Sequence, residues 1–398
     1  VSTTFMMLFT LQICNHMKFY FVAGENSGDF IGAKIIESIK KNNPDNTDIL
    51  FCGVGGSQME AAGIKPLFDF QEINLMGFFE VLPHISRIKN LINKTVSDII
   101  SNDTDILITI DSPGFTFRVA NKVRKIAPKI KLVHIVAPSV WAYKEGRAKK
   151  YSKVYDKLLA LLPFEPPYFA KHGLSTEFIG YPVLEQKFYA KSEKLRREFN
   201  IANDKKIITI TPGSRKSEIS RHMPIIRKTL DLLSLTHKIT VIFVQLNELY
   251  IEHISKYLIA AKFDFLFSTE RLKSFAVSDV ALAKSGTNTL EIAASGTPMI
   301  VGYKLNSLTY SILKIFLKIQ YANIINIISN KEVIPEYIQS DFTAINISNA
   351  LSNLIANPNK ANVQVTTAKK ILKTIGLDSK KLPTEKAASI IFAMAIKK

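Results

Sequence analysis

Lys18-Phe19-Tyr20-Phe21-Val22-Ala23 runs directly into Gly24-Glu25-Asn26-Ser27-Gly28-Asp29, and this junction decides the fold. A short run of aromatic and β-branched residues reads as a strand, and the glycine-bearing loop behind it leads into a helical pattern. The same grammar recurs at Ile49–Cys52, Ile106–Ile110, Leu132–Val136 and Lys157–Leu162, most of them followed at once by Gly, Pro, Ser or Asp. Strands alternating with helices predict βαβ units and a parallel sheet, whose strand-end loops are where such folds bind ligands.

From Tyr181 to Lys206 the chain becomes polar and charged, and then Ile207–Thr211 restarts the pattern with TPGSRKSEI. Further strands are expected at Thr240–Gln245, Val280–Lys284 and Pro298–Tyr303. The reading is α/β, with two doubly wound Rossmann-like domains facing a cleft and a boundary near residue 190. The units are 17–188, 189–375, and a C-terminal helix in 376–398 that packs back on the first domain or on a partner chain. Residues 1–16 (Phe5 to Cys14 reads FMMLFTLQIC) lack the basic flank and cleavage site of a signal peptide. Met17 makes a better start, so 1–16 are expected to be an over-called start or a disordered extension.

Composition narrows the class. A chain of 398 residues, 47% of them hydrophobic, suits two or three domains that each bury a core. Cys14 and Cys52 are too few for a disulfide framework, and no Cys or His cluster has zinc-site spacing, so a reducing compartment and no metal are expected. Lys and Arg number 52 against 34 acidic residues, a net charge of +18. That surplus favours a polyanionic partner, with coding bias toward Lys as the alternative source. No stretch reaches the ~18–20 apolar residues of a spanning helix.

The loops carry the candidate chemistry. Neither the first loop nor Gly53-Val54-Gly55-Gly56 fits GxGxxG, and no GxxxxGK[ST] occurs, which disfavours a dinucleotide dehydrogenase and a P-loop kinase. Asp111 ends the strand DILITI before Ser112-Pro113-Gly114, where it suits a general base, although this stretch alone favours a cap for the next helix, with Pro113 at or near its first position. Gly213-Ser214-Arg215 opens the second domain where amides and a guanidinium suit a diphosphate, although a surface Arg beside a turn is the alternative. Ser285-Gly286-Thr287 opens another helix, and Glu291 one turn inside suits ribose hydroxyls or a capping box.

Taken together these segments resemble one family, the lipid-A-disaccharide synthases, glycosyltransferases of the two-Rossmann-domain (GT-B) type. AGENSGD, GVGGSQMEAAG, MGFFEVL, DSPGF, APSVWAY, LLPFE, PGSR, SGTNTLE and NIINIISNKEVIPEYIQ occur in the family's order across residues 18 to 340. The resemblance implies transfer of diacylglucosamine from UDP-2,3-diacylglucosamine to the 6-hydroxyl of 2,3-diacylglucosamine 1-phosphate, with inversion to a β-1,6 linkage. UDP is then a product, and no cofactor or metal is expected. By the same resemblance Asp111 is the base and Gly213, Ser214 and Arg215 bind phosphate. Ser285, Gly286, Thr287 and Glu291 line the nucleotide site. Glu25 and Asn326 match positions on which the family depends, and Glu336 and Gln339 are nucleotide-site neighbours. Gly114, Tyr181, Ala137 and Tyr143 depart from the usual pattern, the first two on the acceptor side.

Acylated substrates stay in a bilayer, so a cytoplasmic enzyme peripherally attached to the inner membrane is expected. Phe78, Val81, Leu82, Ile85, Ile88, Leu91 and Ile92 recur at helical spacing with Arg87, Lys89 and Lys94 between them. This suits an interfacial helix contacting anionic lipid through Phe78, Leu82, Ile85, Arg87 and Lys89, or an ordinary core helix. Leu308 to Tyr321 is a second candidate of the same kind. A homodimer is a candidate assembly. The rival readings are another two-domain UDP-sugar enzyme and a nucleic-acid-binding protein, the latter disfavoured because the basic residues are spread rather than clustered.

Overall fold

The computed structural model describes residues 17–43, 48–74, 85–244, 247–306, 310 and 318–396. Its first sheet comprises β1 (Met17–Ala23), β2 (Ile49–Val54), β3 (Lys65–Pro66), β4 (Ile106–Ile110), β5 (Lys131–Ile135), β6 (Lys157–Ala160) and β7 (Ser175–Phe178). The order is β3-β2-β1-β4-β5-β6-β7, and every pairing is parallel. The second comprises β8 (Lys206–Thr211), β9 (Ile239–Val244), β10 (Asp264–Ser268), β11 (Val280–Ala283), β12 (Met299–Tyr303) and β13 (Glu336–Ile338), ordered β10-β9-β8-β11-β12-β13. Again all pairings are parallel.

Both sheets therefore show the same doubly wound order, with the strand sequence reversing between β1 and β4 in one and between β8 and β11 in the other. Loops at such a switch point diverge to opposite faces and leave a crevice between them. The loops beginning at Gly24, Asp111, Pro212 and Lys284 leave those four strands. The fold thus brings the candidate motifs to the two crevices.

Central strands are covered by helices on both faces, which is why Phe19–Ala23 and Ile106–Ile110 are almost wholly inaccessible and read as continuous apolar runs. The strands absent from the expectation above are β3, β7, β10 and β13, which are the four sheet edges. An edge strand is half-covered, so β7 reads Ser-Thr-Glu-Phe with no buried residue and carries no apolar run.

The chain crosses between the domains twice. At the crossing the Tyr181 amide donates to the Ile375 carbonyl at 2.7 Å. The Thr384 amide and hydroxyl both donate to the Glu185 carboxylate at 2.6 Å. Beyond it, the helix Pro383–Ile396 buries Ala387, Ala388, Ile391 and Ala395 in the first domain's core. Among the described residues no helix is long and apolar enough to cross a membrane.

Candidate functional site

A cleft of about 1130 Å³ lies between the two sheets. Asn26, Ser27, Asp111 and Val136 line it from the first domain, Arg271, Thr287 and Glu291 from the second, and Tyr181 and Gln186 from the crossing segment. Of the expected residues, Asp111, Thr287 and Glu291 thus face the cavity directly.

The strand ends on the first-domain wall are strained. Asp111 and Ser112 hold left-handed φ values of 49° and 44°, and Val136 at the end of β5 holds 76°. A β-branched residue there is a genuine outlier, and such strain persists only where the surroundings impose it, commonly at functional sites. Here the Asp111 amide is fixed by the Ile135 carbonyl at 3.0 Å, and its carbonyl accepts from the Thr116 hydroxyl at 2.6 Å. A Cβ at Gly24 would lie 2.4 Å from the Ser112 hydroxyl, so only glycine lets the β1 and β4 loops meet.

Asp111 does not cap the following helix. That helix spans Thr116–Ile126, its N-cap position is Phe115, and among the described residues the Asp111 carboxylate accepts only from the adjacent Ser112 amide at 2.7 Å. Burial raises its pKa, with the Ser112 amide as a partial counterweight. Glu25, exposed at the end of β1, precedes Asn26 and Ser27 of the cleft wall. Its carboxyl is raised first by the surrounding protein and then by the Asp111 charge, while Arg215 and Lys284 pull it back down. Glu25 is therefore within electrostatic reach both of Asp111 on its own domain and of a cation pair on the other.

Glu218, absent from the sequence-level candidates, organises those cations. Its side chain is almost fully buried in the first turn of the helix Lys216–Ser234. Glu218 accepts from Lys284 Nζ and the Ser214 amide, at 3.0 and 3.1 Å, and from the Tyr303 hydroxyl at 3.2 Å. Burial would push its carboxyl up, but Lys284, the Ser214 amide and Arg215 outweigh that and hold it below the usual range. Gly213 has φ +145°, and a Cβ there would meet the Glu218 Cβ at 2.8 Å. Arg215 lies farther from Glu218, at 3.9 Å, with 59% of its side chain exposed. It is held loosely and remains available to an anion.

Glu291 is not a capping-box residue either. The N-cap position before it, Thr287, makes no side-chain cap hydrogen bond. Glu291 turns instead to Arg271, 2.6 Å away, and to Gln186, whose Nε2 donates at 2.9 Å. Arg271 also donates to Gln186 Oε1 at 3.1 Å, closing a triad across the domain crossing. Desolvation raises the Glu291 pKa, and Arg271 is the chief opposing influence. Tyr181 hydrogen-bonds Thr287 from the same crossing, and burial pushes its phenol up to about 12.

Asn326, Glu336 and Gln339 are held by partners within the protein. Asn326 is fully buried and wholly engaged within the protein. Its Nδ2 donates to the Ile334 carbonyl and Glu336, and its Oδ1 accepts from the Val333 and Ile334 amides, all between 2.7 and 2.9 Å. It positions Glu336, whose other partners are the Ala322 and Asn323 amides at 2.7 and 2.8 Å. Glu336 therefore stabilises a loop to which Ser285 also donates, through the Ala322 carbonyl at 2.8 Å. Gln339 has φ 58°, and its Oε1 accepts from the Leu305 amide at 2.6 Å.

In the helix Ile85–Ser101, Ile88, Leu91, Ile92, Val96 and Ile99 belong to the first core. The apolar stripe in this part of the helix is therefore core packing and not a free interfacial face. Arg87 is exposed and pairs with Glu72 at 3.0 Å, and Lys89 is exposed. Phe78 and Leu82 lie outside the described residues, as does most of 308–321. Among the described residues, no group of three or more His, Cys, Asp or Glu could hold a metal ion.

Comparison with known proteins agrees with this architecture. The crystal structure of UDP-GlcNAc 2-epimerase from Neisseria meningitidis, bound to UDP-GlcNAc, aligns with a TM-score of 0.59 at 16% identity, covering 90% of this chain and 99% of that one. MurG of Acinetobacter baumannii aligns with a TM-score of 0.56 at 13% identity, covering 95% and 99%. These likenesses show the fold, the two-domain GT-B arrangement. In sequence, the lipid-A-disaccharide synthase of Rickettsia bellii (strain OSU 85-389) is 54% identical over 377 residues, covering 94% of this chain and 98% of the relative. That of Rickettsia prowazekii (strain Madrid E) is 51% identical over 377 residues, with the same coverage. With the family described as lipid-A-disaccharide synthetase matching residues 19–391, the chain belongs to that glycosyltransferase family.

Proposed function

We propose that this protein condenses UDP-2,3-diacylglucosamine with 2,3-diacylglucosamine 1-phosphate, giving the β-1,6-linked disaccharide 1-phosphate and UDP. The observation that carries the reading is that Asp111 lines the cleft from one domain while Glu25, beside it, is within electrostatic reach of Arg215 and Lys284 on the other. An inverting displacement needs a base on one side of the anomeric carbon and an anion sink on the other.

In this mechanism Asp111 accepts the proton of the acceptor 6-hydroxyl as O6 attacks the anomeric carbon of the donor. The bond from that carbon to the β-phosphate oxygen breaks, and its electron pair leaves with UDP. Arg215, only loosely held by Glu218, takes up the developing charge beside the Gly213–Ser214 loop. Glu25, pushed up by desolvation and then by Asp111, keeps a proton to higher pH and donates it in a hydrogen bond to a sugar hydroxyl. Glu291, set by Arg271 and Gln186, receives the ribose hydroxyls near Ser285, Gly286 and Thr287. The protein's own cations serve as the sink.

The acyl chains require work at a membrane surface. We place the enzyme at the cytoplasmic face of the inner membrane, with Phe78, Leu82 and Ile85 entering the lipid and the exposed Arg87 and Lys89 near its phosphates. The test is conversion of the two substrates by purified protein in detergent, beside Asp111→Ala. Disaccharide and UDP from the unmutated chain alone support the reading. Donor binding without disaccharide sinks the acceptor assignment.

A further inference from the structure

The segment following β5 carries an unmatched concentration of positive charge. From Lys144 to Lys153 it contains Lys144, Arg147, Lys149, Lys150 and Lys153 against one acid, Glu145. Glu145 is already held by Lys171 and Lys318. Among the described residues no carboxylate pairs with Arg147. Its guanidinium lies over the Tyr143 ring, 5.8 Å from the centre, and Nη1 donates to the Tyr143 hydroxyl at 3.4 Å. A half-buried guanidinium without a counter-charge keeps its planar donor fork for an anion that can accept two hydrogen bonds.

Its location relates it to the base. One helical turn beyond Arg147, the Tyr151 ring packs on Phe117 at 4.8 Å and against His134 of β5 at 5.3 Å. His134 precedes Ile135, whose carbonyl holds the Asp111 amide, so the Tyr151 ring packs beside the paired strand ends that carry the proposed base. Arg215 and Lys284, by contrast, sit on the opposite domain and share Glu218. Arg147 thus stands on the first domain, on the same side as the proposed base and apart from the diphosphate sink.

We propose that Arg147 clasps the anomeric phosphomonoester of the acceptor sugar. This rests on the reaction assigned above. The pyranose ring holds its 1-phosphate and 6-hydroxyl at a fixed separation, so anchoring the first aims the second at Asp111. The adjacent departure at Tyr143 belongs to the clasp, since its ring and hydroxyl are what orient the guanidinium.

A phosphate on the acceptor and one in a lipid headgroup offer the same chemistry, and the test separates them. The full chain, Arg147→Ala and Arg147→Lys are assayed in non-ionic detergent with the 1-phosphorylated acceptor and with the same diacylglucosamine lacking the phosphate. Binding to phosphatidylglycerol vesicles is measured in parallel. Loss of a charge-assisted pair predicts that Arg147→Ala lowers kcat/KM for the phosphorylated acceptor roughly 10–100-fold more than for the phosphate-free one. Arg147→Lys falls between, keeping the charge but losing the fork. Equal penalties on both acceptors, or a defect confined to vesicle binding, overturn the clasp. Absence of disaccharide from the unmutated chain is a distinct result that overturns the reaction assignment and the clasp with it.

Discussion

Arg271 Nη2 stands 2.6 Å from Glu291 Oε1 in the wall of the cleft, and Gln186 bridges both side chains from the segment linking the domains. Glu291 is 3% exposed, so its ionised form is tolerated largely because Arg271 is there. Removing one member of a buried pair is commonly costlier than never having built it, on the order of 3–5 kcal/mol. Arg271→Gln is therefore expected to lower the melting temperature and weaken donor binding. It also raises the Glu291 pKa further, moving the acid limb of the donor kcat/KM profile to higher pH. Adding Glu291→Gln should recover much of the stability but none of the donor affinity. A double mutant as unstable as Arg271→Gln alone would refute the coupling.

Asp111 offers a separation of strain from chemistry. Asn tolerates the left-handed backbone that Asp111 occupies, whereas Ala does not. Asp111→Asn and Asp111→Ala should both lose on the order of 10²–10⁴ in kcat. Only the Ala variant should lose about 1 kcal/mol of stability for the strained backbone. Burial raises the Asp111 pKa, so the native base is ionised, and the rate rises, as pH climbs through that raised value. The same shift means that its ionisation costs stability: the full contribution is present below the unfolded pKa and is lost as pH rises through the folded one. Asp111→Asn should therefore gain in melting temperature relative to the parent on going from acid to neutral pH. A pH-independent difference between the two would contradict this.

Lys284 and Arg215 are both cations near Glu218, with different duties. Lys284 is the closer partner at 3.0 Å, and Arg215 is mostly exposed at 3.9 Å. Arg215→Ala should lose roughly 10²–10³ in kcat with little change in melting temperature. Lys284→Met strands the buried Glu218 and should lower the melting temperature clearly. Glu218's depressed pKa contributes stability above its unfolded value, which is lost as pH falls. The Lys284→Met defect should therefore shrink in acid. Equal melting temperatures for the two variants at neutral pH would rule out this division.

The sequence displays what depends on local repetition. Strands such as Ile106–Ile110 announce themselves because both faces are buried, and Gly24, Gly213 and the Asp111 loop mark strand ends where glycine or left-handed backbone is required. The edge strands do not, since half their residues meet solvent. In the site, Glu218 is one turn beyond Arg215 and looks like any acidic residue opening a helix. Its role appears only when β11 and β12 deliver Lys284 and Tyr303 to it. Arg271 and Glu291 are separated by twenty positions and meet only because their helices flank one strand, β11. The apolar face of Ile85–Ser101 has the same periodicity whether it meets lipid or protein, and only the packed fold decides between them.

Asn326 lies in the longest of the recognised motifs, yet it touches the cleft only through others. Replacing it with Ala leaves the Val333 and Ile334 amides without an acceptor and withdraws a donor from Glu336. Each buried group left unpaired costs about 1–3 kcal/mol. Asn326→Ala should therefore unfold at distinctly lower temperature, and Glu336 should release the Ala322–Asn323 loop that Ser285 grips. Asn326→Asp keeps the acceptor for both amides but sets a carboxylate against Glu336, so it should fail more severely at neutral pH than in acid. If the defect is one of positioning, lowering the assay temperature should restore part of the Asn326→Ala activity, and hydrogen exchange at residues 322–336 should quicken in step with the loss. An Asn326→Ala protein that keeps its melting temperature and its exchange protection but loses donor affinity would instead make Asn326 a direct ligand of the nucleotide.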